Sequence, residues 1–543
     1  MGTVPLLNDS TSGAPAARAS AWTPFRYGLF RALWIAALVS NVGTWMQNVA
    51  AAWLMTSLAP SPMMVALVQT ATSLPVFLVG LPAGALADVV DRRRLLLVTQ
   101  TWMLCAAALL AALTFADAMT STTLLALTFA LGIGAALNAP TWQAITSEVV
   151  PASELTRAVA LNALTVNVGR AIGPAIGGVL VAASGPALVF ALNALSFVAV
   201  LFVVYRWRRE PTRSVLPAER VIGATRAGLR YARHSPALAA VLVRSGLFML
   251  CGSAFWALLP VIARHDLGLD ALGYGLLLGA VGLGAVGGAA LLPRLRQRLP
   301  LDAVIAGASV LFAVVGGLTA VWRFVPGLWV AMVLGGIAWI GLMASLNGAV
   351  QTVVPSWVRA RALGLYLLVF QGGLGIGSAL WGLIAQHVGA STALGLSALG
   401  VVLGLAAIRR WPLRAITMRE LAPSAHWPEP HVDVVPDADD GPVLVEVEYS
   451  IDPRQAEPFV QAIRELEPIR LRDGANHWAV YHDLSRPGRY VETFVVDSWL
   501  EHLRQHDRVT VSDRAFEERV RRFHLGETPP AISHLIAANV RRP

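Results

Sequence analysis

The chain holds 543 residues, 56% of them hydrophobic and 14% charged, with a mean hydropathy of +0.60, where soluble proteins stand near about 45–50% and about 25%. A wholly soluble protein is thereby excluded, and long apolar runs point to a membrane protein. Residues 1–408 carry 24 Arg against 11 acids (net +13), residues 409–543 carry 18 Arg against 22 acids (net −4), and there is no Lys.

The all-Arg basic set reads first as codon usage. Its confinement to short loops, without a polybasic tail, gives nucleic-acid binding no support; membrane lipids with anionic headgroups are the expected partners. Cys105 and Cys251 both lie in apolar stretches, so neither a disulfide framework nor a metal site is expected, and no cofactor is implied. Residues 1–27 read as a flexible, polar N-terminus without the charged start of a cleavable leader.

Twelve apolar runs of about 20 residues, the length that crosses a bilayer core, follow near 30–56, 63–86, 95–115, 122–145, 156–184, 186–205, 238–262, 271–293, 302–322, 327–350, 361–387 and 390–408. On this map only Arg264 and Arg323 fall in outer loops and Arg170 and Arg244 within spans, leaving twenty Arg on the other side. The positive-inside rule then places both termini in the cytoplasm. The expected organisation is a first six-helix bundle (28–205), a cytoplasmic basic linker (206–237), a second bundle (238–408), a linker (409–441) and a cytoplasmic domain (442–543).

In chain order, Asn41, Trp45 and Asn48 share one helical face of span one. The loop after span two reads Gly84-Ala85-Leu86-Ala87-Asp88-Val89-Val90-Asp91-Arg92-Arg93-Arg94, and span four carries Asn138-Ala139-Pro140. Span five holds Gly169-Arg170-Ala171-Ile172-Gly173-Pro174-Ala175-Ile176-Gly177-Gly178. Its glycines allow close backbone approach and Pro174 permits a kink. Arg170 stands about 21 Å into the span at 1.5 Å per residue, too deep to snorkel, and costs at least about 2.5 kcal/mol unless it faces a polar cavity or a partner. The break 206–237 mixes Arg with Val221, Ile222, Leu229 and Tyr231, which suits either a helix in the headgroup plane or a solvated linker. Arg244, Phe248, Cys251 and Phe255 share a face of span seven, as do Trp339, Met343 and Asn347 on span ten. Arg244 is near enough to the inner end to snorkel. If these faces meet near Arg170, they form an aromatic cavity with amides, suited to a planar or partly anionic organic molecule; the alternative is packing between helices.

An internal repeat joins the halves. At a constant offset of 204, Val150-Pro151 matches Val354-Pro355, Arg157-Ala158 matches Arg361-Ala362, and Gly169, Gly173, Gly178 and Gly185 match Gly373, Gly377, Gly382 and Gly389. Such duplication commonly builds a midplane site between two rocking halves.

Beyond the Pro-rich, acidic linker the runs read strand 443–451, helix 455–471, strands 477–484 and 489–497, helix 499–523 and strand 532–540. The fold class is thus an all-α membrane protein of twelve transmembrane helices in two six-helix repeats, plus a C-terminal α+β βαββαβ domain, ferredoxin-like in order. His502 and His506 stand at i, i+4, but without a third ligand no metal site is expected.

The run Gly169 to Gly178 resembles motif C, GxxxGPxxGG, of major facilitator superfamily antiporters. The run Gly84 to Arg94 resembles motif A, with Val89 in place of a basic residue and Asp91 in place of glycine. With Val42-Gly43-Thr44-Trp45-Met46-Gln47 and Leu161-Asn162-Ala163-Leu164, the chain resembles the transmembrane secretion effector, or enterobactin-exporter-like, branch over about residues 28–408. The resemblance implies a twelve-helix carrier that exports a small organic cargo (siderophore-, drug- or metabolite-like) across the inner membrane by alternating access, usually driven by protons. It implies that Gly84, Asp88, Arg92, Arg93 and Arg94 gate the inner side, Asp88 facing a helix end or Arg361. It further implies that Gly169, Gly173, Pro174, Gly177 and Gly178 shape a moving helix. A proton carrier is the weak point, because Asp88, Asp91, Glu148, Glu154 and Asp302 all lie near inner helix ends and none stands at mid-membrane; Glu148 and Asp88 are the candidates. Span four has Thr128 where motif B carries its Arg. The C-terminal order resembles the dimeric α/β-barrel modules of antibiotic-biosynthesis monooxygenases, which implies a regulatory or dimerising module. A membrane-tethered enzyme or metabolite sensor acting through that domain is the alternative function.

Overall fold

The computed structural model describes residues 20–59, 61–207, 221–413, 419–424, 426, 427, 432 and 436–538. Most of the expected N-terminal segment, residues 208–220 of the basic break and the end of the last expected strand therefore lie outside the described residues. The helices run α1 (Gly28–Leu58), α2 (Pro62–Val89), α3 (Arg92–Phe115), α4 (Ser121–Val149), α5 (Leu155–Ser184), α6 (Pro186–Arg206), α7 (Val221–His234), α8 (Pro236–Val261), α9 (Ala271–Arg298), α10 (Leu301–Val321), α11 (Val325–Val353), α12 (Arg359–Val388), α13 (Ala390–Gly404) and the one-turn α14 (Ala407–Arg410). Twelve stretches, α1–α6 and α8 through α14, are long and apolar enough to cross a membrane. In hydrocarbon the backbone amides have only one another to bond, so apolar runs of this length must be helical.

Local chemistry sets the ends. Asp91 accepts a hydrogen bond from the Arg94 backbone N–H at 2.9 Å and caps α3, which gives the acid at the motif's glycine position a structural task. Gly185 (φ +78°) and Gly389 (φ +86°) each end one span and begin the next. At ψ of 170° and 152° this is a backbone essentially confined to glycine, costing another residue about 1–3 kcal/mol, and the two matched positions of the repeat adopt it alike.

Two bundles result. In the first, α1 packs on α5 and α6, α2 on α4, and α3 on α4 and α6; in the second, α8 packs on α12 and α13, α9 on α11, and α10 on α11 and α13. Two seams join them, α2 on α12 and α5 on α9. We call the end that carries the α2–α3 turn, α7 and the chain's exit from α14 the near end, and the opposite one the far end.

Helix α7 rests partly on protein. Its buried Tyr231 meets Trp357 edge-on at 5.6 Å and lies under the Arg472 guanidinium at 5.7 Å, and Arg230 pairs with Glu501 at 3.0 Å. Ala227, Tyr231 and Ala232 are covered by protein, between α12 and the C-terminal domain, whereas Leu229 is exposed.

That domain contains β1 (Val443–Ser450), α15 (Ala456–Arg464), α16 (Glu467–Asp473), β2 (His477–His482), β3 (Arg489–Val496), α17 (Trp499–Arg508), α18 (Val511–Arg521) and β4 (Ala531–Ile536). The strand order is β2-β3-β1-β4, every neighbour antiparallel, the split βαβ arrangement. Each expected helix comes in two pieces. Pro468 lacks an N–H and starts α16 afresh, and a capping box of Thr510 and Asp513 opens α18.

Candidate transport site

Helix α5 is built around its small residues. A Cβ at Gly169 would meet the Asn41 backbone at 3.0 Å, one at Gly173 the Trp45 Cβ at 2.6 Å, and one at Gly177 the Met46 Cα at 2.9 Å, so this edge lies directly on α1. The next edge lies on α9, where a Cβ at Gly178 would stand 2.8 Å from the Gly275 Cα. Pro174 is buried between them, inside the helix.

Arg170 occupies the sector between these two edges. At about 100° per residue, it lies opposite Ile172, and Asn167 lies opposite Ile176; the two isoleucines are exposed on the outer, lipid-accessible side. The exposed Asn167 and the half-buried Arg170 therefore face inward, toward the space between the bundles. The Arg170 guanidinium stands 5.3 Å from the Trp45 ring centre, and its Nε is buried with no hydrogen-bond partner among the described residues. Neither α1 nor α5 carries an acid.

The other expected site residues divide into two groups. Asn41 donates to the Thr165 hydroxyl at 3.1 Å, and with Trp45, Asn48 and Arg170 it forms one continuous α1–α5 surface in which Asn48 is half-buried. Asn138 instead accepts from Thr99 and from Gln100 (3.2 Å for the latter), between α4 and α3. Phe248, Phe255 and Trp339 do meet, but as a packed cluster with Phe312 and Trp256, with centroids 4.9–6.2 Å apart. Phe255 is wholly buried there. Asn347 accepts from Gln351 at 2.8 Å along α11.

At the near end Arg92 pairs with Glu148 at 2.6 Å, and Arg93 donates to the Val204 and Tyr205 carbonyls at 3.2 and 2.6 Å. These bonds tie α3 to α4 and to the carbonyl end of α6, where a cation is favoured, all within one bundle. Gly84 and Asp88 lie in the last turns of α2; the Asp88 side chain is outside the described residues. Arg94 is exposed. Arg244 does not snorkel. It is buried and bonded to Asp302 of α10, which also accepts from the Leu413 N–H at 3.2 Å.

At the far end the two bundles touch through Trp53, Tyr274 and Arg264. Trp53 of α1 stacks on Tyr274 of α9 at 5.8 Å. Arg264 lies over Trp53 at 5.4 Å and donates to Thr56 and Ser57 at 2.9 and 2.8 Å. Only the loop position of Arg264 was visible in sequence; its partners are about 200 residues away.

The C-terminal domain has a buried charge network. Glu517 accepts from Arg470 at 2.5 Å, His426 at 2.6 Å and Trp427 at 2.9 Å; Glu492 accepts from Arg470 at 2.9 Å, Trp478 at 3.0 Å and Tyr449 at 3.2 Å. Burial alone would raise the Glu517 pKa, but the Arg470 charge and the three donors hold it down to about 2. A depressed carboxylate contributes stability above its ordinary value of 4.5, lost as pH falls from there toward about 2. Glu517→Gln is expected to destabilise the domain at pH 7 by about 3–5 kcal/mol, the cost of breaking a buried pair, and to flatten its acid dependence in that window. Tryptophan fluorescence during urea titration of the full chain measures both; equal stability of variant and parent at pH 7 rules the assignment out.

Two six-helix repeats joined along two glycine-rich seams, with a cation at mid-span between them, define a secondary transporter of the major facilitator fold. The chain belongs to the transmembrane secretion effector family, whose model matches residues 19–542. It is 28% identical over 389 residues to the enterobactin exporter EntS of Salmonella typhi (69% of this chain, 90% of that one). It is 26% identical over 393 residues to the multidrug efflux pump Tap of Mycolicibacterium fortuitum (69% and 93%). Among solved structures its fold matches a bacterial homologue of the human lysosomal transporter Spinster, inward-facing and unoccupied, with TM-score 0.59 and 15% identity over 73% of this chain and 99% of that one. The protein is accordingly a multi-pass inner-membrane transporter that exports small molecules, and the tethered-enzyme alternative is not favoured.

Proposed function

We propose that the protein carries a planar, partly anionic organic molecule, siderophore-, drug- or metabolite-like, out of the cytoplasm by alternating access. The observation that carries this reading is Arg170, a cation halfway along a span, beside the Trp45 ring and on the same inward face as Asn167. A desolvated guanidinium with an open donor is an anion fork, and the ring beside it offers a stacking surface. The relatives' names supply the cargo classes: a siderophore for EntS and drugs for Tap.

Both termini lie in the cytoplasm on this reading, since the near end carries the Arg excess. The far end, where Trp53 stacks on Tyr274, is then the outer gate, and the near end is where cargo enters. Protons are the proposed driving ion, with Glu148 and Asp88 as their carriers because no acid stands deeper in a span. The exposed apolar belt, including Leu195, Leu283 and Val330, meets the lipid. Self-association of the C-terminal domain is supported by the open face of its sheet, where Leu535 and Tyr481 are exposed.

The test compares the culture medium of a deletion strain with strains complemented by the intact gene, Arg170→Lys and Arg170→Ala. Loss of a secreted compound on deletion, restored by the intact gene, partly by Arg170→Lys and reduced at least about tenfold in Arg170→Ala, is expected for a charge-assisted contact worth about 1.5–3 kcal/mol. Full restoration by Arg170→Ala removes the anion-binding role; an unchanged medium on deletion removes the export reading.

A further inference from the structure

The C-terminal domain encloses a cavity of about 450 Å³ between its sheet and the helices α17 and α18. Its size falls within the range of small-molecule sites. The sheet contributes one row across three strands, in which His534 of β4 stands opposite Val445 of β1, and Val445 opposite Phe494 of β3. Helix α17 adds His502 and His506 one turn apart, and the linker adds Trp427, which meets His506 edge-on at 5.0 Å.

Apart from the exposed Arg521, the polar groups of the wall fall into two classes. The buried carboxylates and Arg470 are saturated by one another and by Tyr449, His426 and the tryptophans, as described above, so the remaining cation among the described lining residues is the exposed, solvated Arg521 of α18. The imidazoles are different. His506 and His534 are only partly buried, line the cavity, and make no side-chain hydrogen bond among the described residues. His502, 1% exposed, sits behind them with ring centroids at 5.0 Å from His506 and 4.8 Å from His534. Its Nδ1 contacts the Gln505 Oε1 at 3.4 Å, and its Nε2 is buried without a partner. Burial, reinforced by the other two histidines, pushes the His502 pKa down to about 3, and burial first lowers those of His506 and His534 as well. All three are neutral at pH 7, and a neutral imidazole keeps one nitrogen as an acceptor.

The cavity thus offers aromatic and aliphatic walls, buried charges that neutralise one another, one solvent-exposed cation at Arg521 and two accessible acceptor nitrogens. We propose that it binds an uncharged aromatic molecule bearing a hydroxyl group, whose O–H donates to His506 or His534. The site is separate from the transport path at Arg170, and its occupancy does not depend on the cargo assigned to that path.

The test uses the full chain in nanodiscs, titrated calorimetrically with 2-naphthol, its methyl ether 2-methoxynaphthalene and the anion 2-naphthoate, with empty nanodiscs subtracted. Saturable binding of 2-naphthol is expected, with the ether and the anion each about tenfold weaker. His506→Ala combined with His534→Ala should lose the preference for the hydroxyl, whereas Arg170→Ala should leave it intact. Equal affinity for naphthol and its ether, absent saturable binding, or a preference that survives the double variant but falls with Arg170→Ala would each overturn the proposal. Should the double variant fail to fold, diethylpyrocarbonate labelling of the unmutated protein decides: 2-naphthol should protect His506 and His534 but not the exposed His477 and His482, and unprotected His506 and His534 would overturn it.

Discussion

Gly275→Val is expected to abolish export while leaving the chain folded in the membrane. A Cβ on Gly275 would stand 2.7 Å from the Gly178 Cα and 2.8 Å from the Pro174 carbonyl oxygen, and the crowding recurs down the seam, where a Cβ on Gly282 would stand 2.6 Å from the Ala171 Cα. Overpacking against side chains that can shift costs about 1–3 kcal/mol. Here the obstacles are backbone atoms of α5 and cannot rotate away, so α9 must separate from α5. Each bundle keeps its own interior, because the contact lies between them; what fails is the closure of the far end, where Trp53, Tyr274 and Arg264 must meet. In a background with Cys105 and Cys251 replaced by alanine, Asn48→Cys should react faster with an externally added, membrane-impermeant maleimide when Gly275→Val is present, and cargo should remain in the cell. Normal export by Gly275→Val, with unchanged labelling, would show that this seam does not open and close. Bundles that behave as rigid, bistable units convert such a local obstruction into loss of the whole transition.

The seam also shows what a sequence discloses and what it withholds. Spacing alone gave the glycines of α5, since a helix presents small residues in register every three or four positions, and the 204-residue repeat pairs Gly185 with Gly389, both of which the structure places at turns between spans. Helix count and the βαββαβ order were legible for the same reason: hydrophobic period and turn residues are local signals. The partner of α5 was not, because Gly275 lies in another bundle and no local pattern names it. Likewise the spacing puts the aromatic residues of α8 and of α11 on helical faces, yet Phe312 of α10 and Trp256, which complete the cluster, came from positions with no distinguishing pattern. In the C-terminal domain the His502–His506 spacing was visible, but His534 joins them from the last strand, through sheet register. The motif A arginines illustrate a further limit. Their number and place were legible, but whether they bond across bundles or within one depends on packing, and Arg92 and Arg93 bond within.

The pair Arg244–Asp302 is where charge and burial together set a large stability effect among the spans, and its asymmetry makes it testable. The Arg244 side chain is 5% exposed and the Asp302 side chain 29%. Removing the charge of Asp302 leaves a guanidinium 5% exposed, beside a small cavity lined by Phe248, Leu342 and Val401, with little water to replace its partner. Removing Arg244 instead leaves a carboxylate that keeps some solvent and the Leu413 N–H. Breaking a buried pair from one side costs about 3–5 kcal/mol, whereas replacing both members with apolar groups is often neutral or stabilising. Asp302→Asn is therefore expected to lower the thermal midpoint of the detergent-solubilised protein most, Arg244→Met less, and Arg244→Met combined with Asp302→Leu least. The last variant also separates stability from activity. If it stays folded but exports slowly, the pair serves the moving cycle by tying α8 to α10 and to the chain's exit at Leu413; if it exports normally, the pair acts in stability alone. A larger loss from Arg244→Met than from Asp302→Asn would contradict the burial argument, since it would mean that the aspartate, not the arginine, is the group stranded without water.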